Sequence, residues 1–245
     1  MGLALTGNPL AHTALQAVSK AQRRIQVPDA DLRAAVTPDY ELGCKRVLFT
    51  STWFPALRHR AVALVTAPIA QITARGVLTS DGVEHPVDLL VLSTGFAATD
   101  LLAPMRLRGA GRRLLSQVWA DGAHAYLGMT VPGFPNLFLM YGPNTNTGNT
   151  SVVYFQEAQA RYLAQAARLL AANRGGALEV RENVEAAYDE EIQSRPARSV
   201  WAGCANWYTA ASGRIVTNWP GMAGEYARRT ARFDVTDYVV TPPPS

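Results

Sequence analysis

The chain has 245 residues, enough for one large domain or two small ones, and its 48% hydrophobic and 17% charged residues are typical of a globular protein. The formal net charge of +4 is spread without long basic runs, which argues against a nucleic-acid-binding surface. No stretch reaches the roughly 18 consecutive apolar residues that a membrane-spanning helix needs.

The predicted elements begin with a helix over 13–26, which ends before Pro28 because a residue preceding proline is disfavoured in helical geometry. Three apolar runs then predict strands over 61–66, 71–79 and 87–93. The turn Ser80-Asp81-Gly82 joins the last two as a β-ribbon. The run 87–92 is interrupted only by Asp88, so it predicts a buried parallel strand.

The second half of the chain repeats the alternation of strands and helices. A short apolar run over 137–141 is followed by a long helix over 151–173, a strand over 178–180 and a helix over 184–193. Phe155, Tyr162 and Ala166 form the apolar stripe of the long helix. This alternation predicts the α/β class. The prolines of 241–245 predict an extended, solvated tail.

The cysteines and histidines predict neither a disulfide framework nor a metal site. Cys44 and Cys204 are too few for such a framework and neither lies in a CxxC pair. The four histidines are isolated, without metal-ligand spacing. The amino-terminal residues do not follow the order of a signal peptide, so we expect reduced cysteines and a cytoplasmic setting.

Four short blocks are candidates for a functional site, and each has an ordinary structural alternative. Gly43-Cys44-Lys45-Arg46 places two cations beside a glycine that allows a ligand to approach, but a solvated basic turn has the same pattern. Ser93-Thr94-Gly95-Phe96 offers a hydroxyl and a glycine to a flat cofactor, or simply ends a strand.

The other two blocks lie further along the chain. Gly133-Phe134-Pro135-Asn136-Leu137-Phe138, with Tyr141-Gly142-Pro143-Asn144, precedes a helix whose N-terminus could face an electron-rich ligand, or forms an ordinary strand-turn-helix. Cys204-Ala205-Asn206-Trp207-Tyr208 provides aromatic residues for an apolar substrate pocket or for the edge of a core.

Together, in this order and spacing, the four blocks resemble the carboxyl half of the Baeyer-Villiger monooxygenases, relatives of the flavin-containing monooxygenases. The resemblance runs from about Pro28 to Tyr238 and includes the phrases Trp119-Ala120-Asp121-Gly122 and Tyr126-Leu127-Gly128. It implies an incomplete flavoprotein with two dinucleotide-binding domains. Residues 1–92 would be a remnant of the NADP-binding domain with its β-ribbon, 93–238 the carboxyl part of the FAD-binding domain, and 239–245 a flexible tail.

The resemblance also implies a reaction and its cofactors. In this family NADPH reduces FAD, the reduced flavin captures O2 as a C4a-peroxide, and the peroxide attacks a small-molecule ketone or oxidises a heteroatom. The flavin peroxide that attacks a ketone is an anion. Arg46 matches the arginine that stabilises this anion, a role suited to a permanently charged guanidinium. Lys45 matches the position near the 2′-phosphate of NADPH.

The remaining site residues are assigned by the same resemblance. Thr94, Gly95 and Phe96 match a flavin-contacting turn at the hinge between the two domains. Gly142, Pro143 and Asn144 match a segment near the isoalloxazine ring. Trp207 matches an aromatic residue near the nicotinamide and the substrate, and Tyr208 is assigned to packing.

The sequence departs from the family in lacking any GxGxxG and the phrase FxGxxxHxxxW. Each GxGxxG opens a helix whose N-terminus holds a cofactor diphosphate, so we expect cofactor affinity to be lost. Three hypotheses follow: an inactive fragment of a monooxygenase, one subunit of a split enzyme completed by an amino-terminal half, or a non-catalytic binding module. We also expect 137–141 to present an unpaired strand edge and exposed apolar surface.

Overall fold

The computed structural model describes residues 4, 8–148, 150–195, 200–201, 204 and 206–243. Ala205 of the fourth block and residues 244–245 of the predicted tail lie outside these residues. The chain divides into a larger unit, made of Met1–Gln16, Tyr40–Val47 and Ala98–Ser245, and a smaller unit, made of Ala17–Asp39 and Leu48–Ala97. This division follows compactness and does not test which residues bind FAD or NADPH, so the domain assignment stays a prediction.

Helices and short antiparallel sheets make up the described structure. The helices are α1 (Pro9–Gln26), α2 (Ala30–Ala35), α3 (Trp53–Leu57), α4 (Leu115–Val118), α5 (Val152–Ala172), α6 (Glu182–Ser194) and α7 (Ala223–Arg229), with 3-10 turns at Ala110–Arg112 and Val235–Asp237. The strands are β1 (Ile69–Ile72), β2 (Gly76–Thr79), β3 (Glu84–Pro86), β4 (Ala177–Val180) and β5 (Tyr238–Thr241).

Three predicted helices are confirmed as α1, α5 and α6. Helix α1 ends two residues before Pro28. At the start of α5, the Ser151 hydroxyl caps the helix by accepting a hydrogen bond from the Val153 amide. The predicted stripe of α5 is buried at Phe155 and Tyr162. These helices were predictable because caps and periodicity lie within each segment.

The smaller unit contains a three-stranded sheet in the order β1-β2-β3, with both pairs antiparallel. The predicted strand over 71–79 is wrong as a single element, because the chain turns between Ile72 and Gly76 and forms a hairpin. The predicted turn at Ser80-Asp81-Gly82 is confirmed, and Gly82 has a positive φ of 83°. It leads into β3 and not into a long strand over 87–93.

The predicted strands over 61–66 and 87–93 are wrong for the described structure. Neither segment forms a strand, and the side chains of Leu89 and Val91 are 78% and 72% exposed. An apolar strand of this kind requires hydrogen-bonded neighbours on both edges, and the described residues provide none. No two of the strands named above pair in parallel.

The prediction of an unpaired strand edge at 137–141 is wrong, but part of the predicted apolar surface is exposed, with Met140 at 49% and Tyr141 at 38%. This segment forms no strand, and Leu139 is 7% exposed within a cluster that includes Trp119 and Phe134. The Leu139 amide donates to the Met129 carbonyl at 2.8 Å. At Leu139, the side chain is therefore covered and the backbone amide is hydrogen-bonded by other residues of the same chain.

All three hydrophobic clusters lie in the larger unit. In the largest, α5 and α7 meet through Phe155 and Tyr226, whose rings stack with centroids 4.6 Å apart. A hydrogen bond joins the loop that contains His124 to α6, with His124 Nδ1 2.7 Å from Glu185 Oε1. The larger unit therefore has a core that its own residues close.

Strand β5 pairs antiparallel with β4 and includes Val239, Val240 and Thr241. The predicted flexible tail over 239–245 is therefore wrong for residues 239–241, because they pair with Ala177, Leu178 and Glu179 of β4. Of the helices in the described part of the chain, none combines the length and hydropathy required to cross a membrane.

Candidate functional site

A basic loop, defined here as residues 43–46, is held on the larger unit by two ties. Gly43 adopts a positive φ of 96°, and its carbonyl accepts a hydrogen bond from Trp201 Nε1 at 3.1 Å. Cys44 is bonded to Cys204 in a disulfide. The expectation of reduced cysteines is therefore wrong, because the fold brings two cysteines 160 residues apart into bonding geometry.

Arg46 lies at the end of the basic loop with its side chain exposed. Burial raises the pKa of Tyr208 and of Tyr141, and the positive charge of Arg46 opposes the rise at both hydroxyls. No carboxylate of the described chain forms an ion pair with Arg46. The guanidinium is thus placed near two tyrosine hydroxyls with its charge uncompensated by a salt bridge.

Lys45 points to a different neighbour. Its ammonium group lies 4.5 Å from the centroid of the Tyr40 ring in a cation-π contact. The side chain is exposed, so the ammonium remains open to an anionic ligand. Its assignment to the 2′-phosphate of NADPH stays a prediction.

The second group of site residues is a buried loop, defined here as residues 142–147. Asn144 adopts a positive φ of 54° and is 3% exposed. Its Nδ2 donates to the carbonyls of Ile215 at 2.7 Å and Asn218 at 3.1 Å. The Asn146 Nδ2 donates to Asn218 Oδ1 at 2.7 Å, and the Tyr141 hydroxyl donates to Asn146 Oδ1 at 2.8 Å.

Gly142 permits the close approach of two backbones. A Cβ built on it would lie 2.3 Å from the Gly128 carbonyl oxygen, and one on Gly128 would lie 2.2 Å from Thr145 Cγ2. No side chain fits at either position without a shift. Gly142, Pro143 and Asn144 do not lie at a helix N-terminus as predicted, because α5 begins only at Val152.

The aromatic residues of the fourth block pack against each other beside the basic loop. The Trp207 and Tyr208 ring centroids lie 4.2 Å apart, and Tyr208 packs edge-on against Trp201 at 6.1 Å. Tyr208 is 1% exposed whereas Trp207 is 42% exposed. This agrees with packing for Tyr208 and leaves a Trp207 ring face available to a ligand.

Thr94, Gly95 and Phe96 belong to the smaller unit. They follow the extended run 87–92 and are exposed, with Phe96 99% exposed and Gly95 at a positive φ of 86°. The structure thus brings Arg46, the 142–147 loop and Trp207 together on the larger unit. The flavin contact assigned to Thr94, Gly95 and Phe96 stays a prediction.

Sequence reasoning missed two polar residues of this region, Asn146 and Asn218, and it assigned no role to Tyr141 within the third block. Asn146 and Asn218 also form a parallel bridge between their backbones. The signal available in the sequence was the run Asn144-Thr145-Asn146-Thr147, where four consecutive polar side chains follow an apolar segment. Polar runs of this kind are ordinary in loops, so burial of all four was not predictable.

Comparisons with known proteins show which proteins the chain is similar to. No protein-family model matches the chain. Over 243 residues the chain is 37% identical to a Baeyer-Villiger monooxygenase of Streptomyces coelicolor, covering 98% of this chain and 47% of that protein. Over 250 residues it is 38% identical to a Baeyer-Villiger monooxygenase of Pseudomonas aeruginosa, again covering 98% and 47%. The chain is related to the Baeyer-Villiger monooxygenases.

The fold agrees with this relationship. The structure of OTEMO in complex with FAD and NADP matches with a TM-score of 0.84 and 25% identity, over 96% of this chain and 45% of OTEMO. The resemblance to the carboxyl half of Baeyer-Villiger monooxygenases is therefore confirmed, as is a partial flavoprotein fold. The chain spans about half the length of the curated relatives it matches, 47% in both cases above.

The described residues are chemically suited to the ring system of FAD and not to its diphosphate. Asn218 is 0% exposed, and its Nδ2 lies near the Tyr208 hydroxyl without forming a hydrogen bond of ordinary geometry. A buried amide donor and the Arg46 guanidinium suit the carbonyl and nitrogen edge of a flat ring. A diphosphate requires the helix N-terminus of a GxGxxG, which this sequence lacks.

Metal ligands are not part of this arrangement. Among the residues that the structure describes, no three His, Cys, Asp or Glu side chains are grouped so as to hold a metal ion. The candidate site is therefore built from one cation, buried amides and aromatic rings.

Proposed function

We propose that the chain supplies part of the active site of an FAD- and NADPH-dependent monooxygenase of the Baeyer-Villiger type. The observation that carries this proposal is Arg46, held by the Cys44–Cys204 disulfide beside Tyr141 and Tyr208 without an ion pair in the described chain. The substrates are small-molecule ketones or compounds with an oxidisable heteroatom.

In this proposal FAD, reduced by NADPH, supplies the electrons that activate O2. Arg46 stabilises the negative charge that develops on oxygen, since its guanidinium keeps its proton at any working pH. Asn218 and the 142–147 loop orient the ring edge, because the donors there are fixed by burial. Trp207 offers its exposed face to the nicotinamide or the substrate.

Lys45 binds the 2′-phosphate of NADPH and so favours it over NADH. Thr94, Gly95 and Phe96 contact the flavin in this proposal. By itself the chain is inactive in this proposal, because neither diphosphate has its helix N-terminus.

The first experiment measures the chain alone. We expect a purified protein without flavin absorbance near 450 nm, after incubation with FAD and gel filtration, and without NADPH oxidation. A stoichiometric flavin spectrum, or NADPH-dependent oxygenation by the chain alone, would refute the proposed inactivity.

The second experiment measures Arg46 in an assembled enzyme. The chain is co-expressed with the part of the Pseudomonas aeruginosa monooxygenase that it does not match, and incorporation of 18O from 18O2 into a cyclic ketone is followed by mass spectrometry. We expect Arg46→Ala to lower oxygenation by about 100-fold or more while flavin reduction by NADPH continues. Arg46→Lys should restore only part of the activity, because an ammonium lacks the planar fork.

Arg168→Ala is the matched control, since Arg168 is exposed on α5 and lies outside the proposed site. Equal losses in Arg46→Ala and Arg168→Ala would show a general charge effect. Unchanged oxygenation in Arg46→Ala would remove Arg46 from the mechanism.

A further inference from the structure

A groove of about 350 Å³ on the larger unit is lined by two segments of the chain. One is an arginine loop, defined here as residues 106–113, and the other is 134–137. The Ala110 amide of the arginine loop donates to the Gly133 carbonyl at 2.7 Å. A Cβ built on Gly109 would lie 2.1 Å from the same carbonyl oxygen. The two sides of the groove are therefore held together by close backbone contacts.

The walls of the groove are apolar apart from one guanidinium. The apolar lining consists of Leu107, Ala110, Phe134, Pro135 and Leu137. Phe134 is buried in the hydrophobic cluster that includes Trp119, and Leu107 and Leu137 pack against that cluster. Arg108 is the only charged residue among the described residues that line the groove. Small-molecule sites typically have this composition, with apolar walls and a few polar groups that orient the ligand.

The positive charge at the groove is not neutralised by salt bridges within the described chain. Arg108 is exposed, and no described carboxylate forms an ion pair with it or with the other three arginines of the loop, Arg106, Arg112 and Arg113. The arginine loop therefore has a formal charge of +4, equal to the net charge of the whole chain. Glu179 brings an opposing charge to this region, since its carboxylate accepts from the Gly133 amide at 2.8 Å. The excess of arginines favours an anionic ligand.

We propose that the groove binds the anion of a straight-chain carboxylic acid of medium length. The carboxylate lies on Arg108, because a guanidinium can donate two parallel hydrogen bonds to the two carboxylate oxygens. The hydrocarbon chain lies against Phe134 and Leu137, which remove its methylene groups from water. At about 350 Å³ the groove is near the lower end of the range for small-molecule sites, roughly 300 to 1,000 Å³, and so suits a ligand of this size.

A negatively charged membrane surface fits the groove less well. Such a surface recognises the arginine loop by charge alone and would engage the exposed Arg112 as readily as Arg108. A flat layer of headgroups would also leave the concave apolar lining unfilled. A single amphiphilic anion uses both the guanidinium and the apolar walls. None of the residues assigned to the proposed function lines this groove.

The experiment is isothermal titration of the whole chain with hexanoate, octanoate and decanoate, each kept below the concentration at which it forms micelles. We expect one-to-one binding, with affinity rising by up to about fourfold for each added methylene that the groove covers. The alcohol 1-octanol is the uncharged analogue of octanoate. It should bind about tenfold more weakly or less, because it cannot form the charge-assisted pair with Arg108.

Substitutions test the charged and the apolar parts of the site separately. Arg108→Ala should weaken octanoate binding by about tenfold or more and leave 1-octanol binding unchanged, and Arg108→Lys should recover only part of the loss. Ala110→Trp should abolish binding of both probes by filling the groove, since Ala110 is an exposed residue of its lining. Arg112→Ala is the matched control, because Arg112 is exposed in the same loop but does not line the groove, and it should change binding by less than about twofold.

Urea unfolding of each variant verifies that the larger unit remains folded. Failure of decanoate to bind the unmodified chain would overturn the proposal, as would an affinity that does not depend on chain length. Equal losses in Arg108→Ala and Arg112→Ala would show a general charge effect and would overturn it too. Binding to phosphatidylglycerol vesicles without binding of decanoate would identify a membrane surface as the partner, against the proposal. Each of these outcomes leaves the proposed function untouched, because none of them involves flavin or NADPH.

Discussion

Removing the disulfide should strongly destabilise the larger unit. Cys44 and Cys204 are 160 residues apart in sequence, and a cross-link over a loop of this length lowers the entropy of the unfolded chain by the equivalent of about 5 kcal/mol. This is comparable to the whole stability of many domains, roughly 5 to 15 kcal/mol. We therefore expect the reduced protein to unfold at a markedly lower denaturant concentration than the oxidised protein.

The assay is urea unfolding followed by tryptophan fluorescence, with and without dithiothreitol. With a slope of about 2 to 3 kcal/mol per molar urea, the loss corresponds to a midpoint shift of about 2 M. The double variant Cys44→Ser/Cys204→Ser provides the control, because its midpoint should be low and indifferent to dithiothreitol. Trp201, which donates to the Gly43 carbonyl beside the disulfide, is a local reporter of the loosened loop.

Two observations would refute this reasoning. One is alkylation of both cysteines by iodoacetamide in the native, unreduced protein, since bonded cysteines do not react. The other is a midpoint that stays the same in dithiothreitol although mass spectrometry shows that the disulfide has been reduced. In the second case the contacts between the basic loop and Trp201 would hold the loop without the cross-link.

Two further predictions concern backbone packing and pH. Gly142→Ala should lower the free energy of unfolding by about 2 to 3 kcal/mol, because the new Cβ would lie 2.3 Å from the Gly128 carbonyl oxygen. Gly224→Ala, where no atom lies within 4 Å of the new Cβ, should instead raise it by up to about 1 kcal/mol in urea unfolding. Burial disfavours the charged form of His124, but its hydrogen bond to Glu185 and the negative charges of Glu185 and Asp189 together outweigh this and raise the pKa of His124 above 6.5. A raised pKa stabilises the folded state fully below pH 6.5, and this stability is lost as the pH rises through the folded-state value. Unfolding measured across this range should show the decline, and His124→Gln should abolish it.

The sequence predicted the helices whose stabilising features lie within one segment of the chain. Helix α5 has its Ser151 cap and its apolar stripe within one segment, and α6 buries Tyr188 and Ile192 at helical spacing, so local reasoning was sufficient. The site was less predictable, because the two cysteines that join the basic loop to the fourth block are isolated in sequence. Neither CxxC spacing nor any local pattern indicates a pair separated by 160 residues.

The failed prediction over 87–93 has a different cause. Val91 and its neighbours have the composition of a buried strand, yet they are exposed and unpaired in the described structure. Natural sequences are locally consistent with their complete fold, so a strong local preference that the structure does not satisfy indicates a missing neighbour and not a weak signal. The run over 137–141 is different, because Leu139 packs in a cluster of its own chain, although Met140 remains 49% exposed. The exposed apolar run is found in a chain that spans only about half the length of its relatives, 45% of the OTEMO chain.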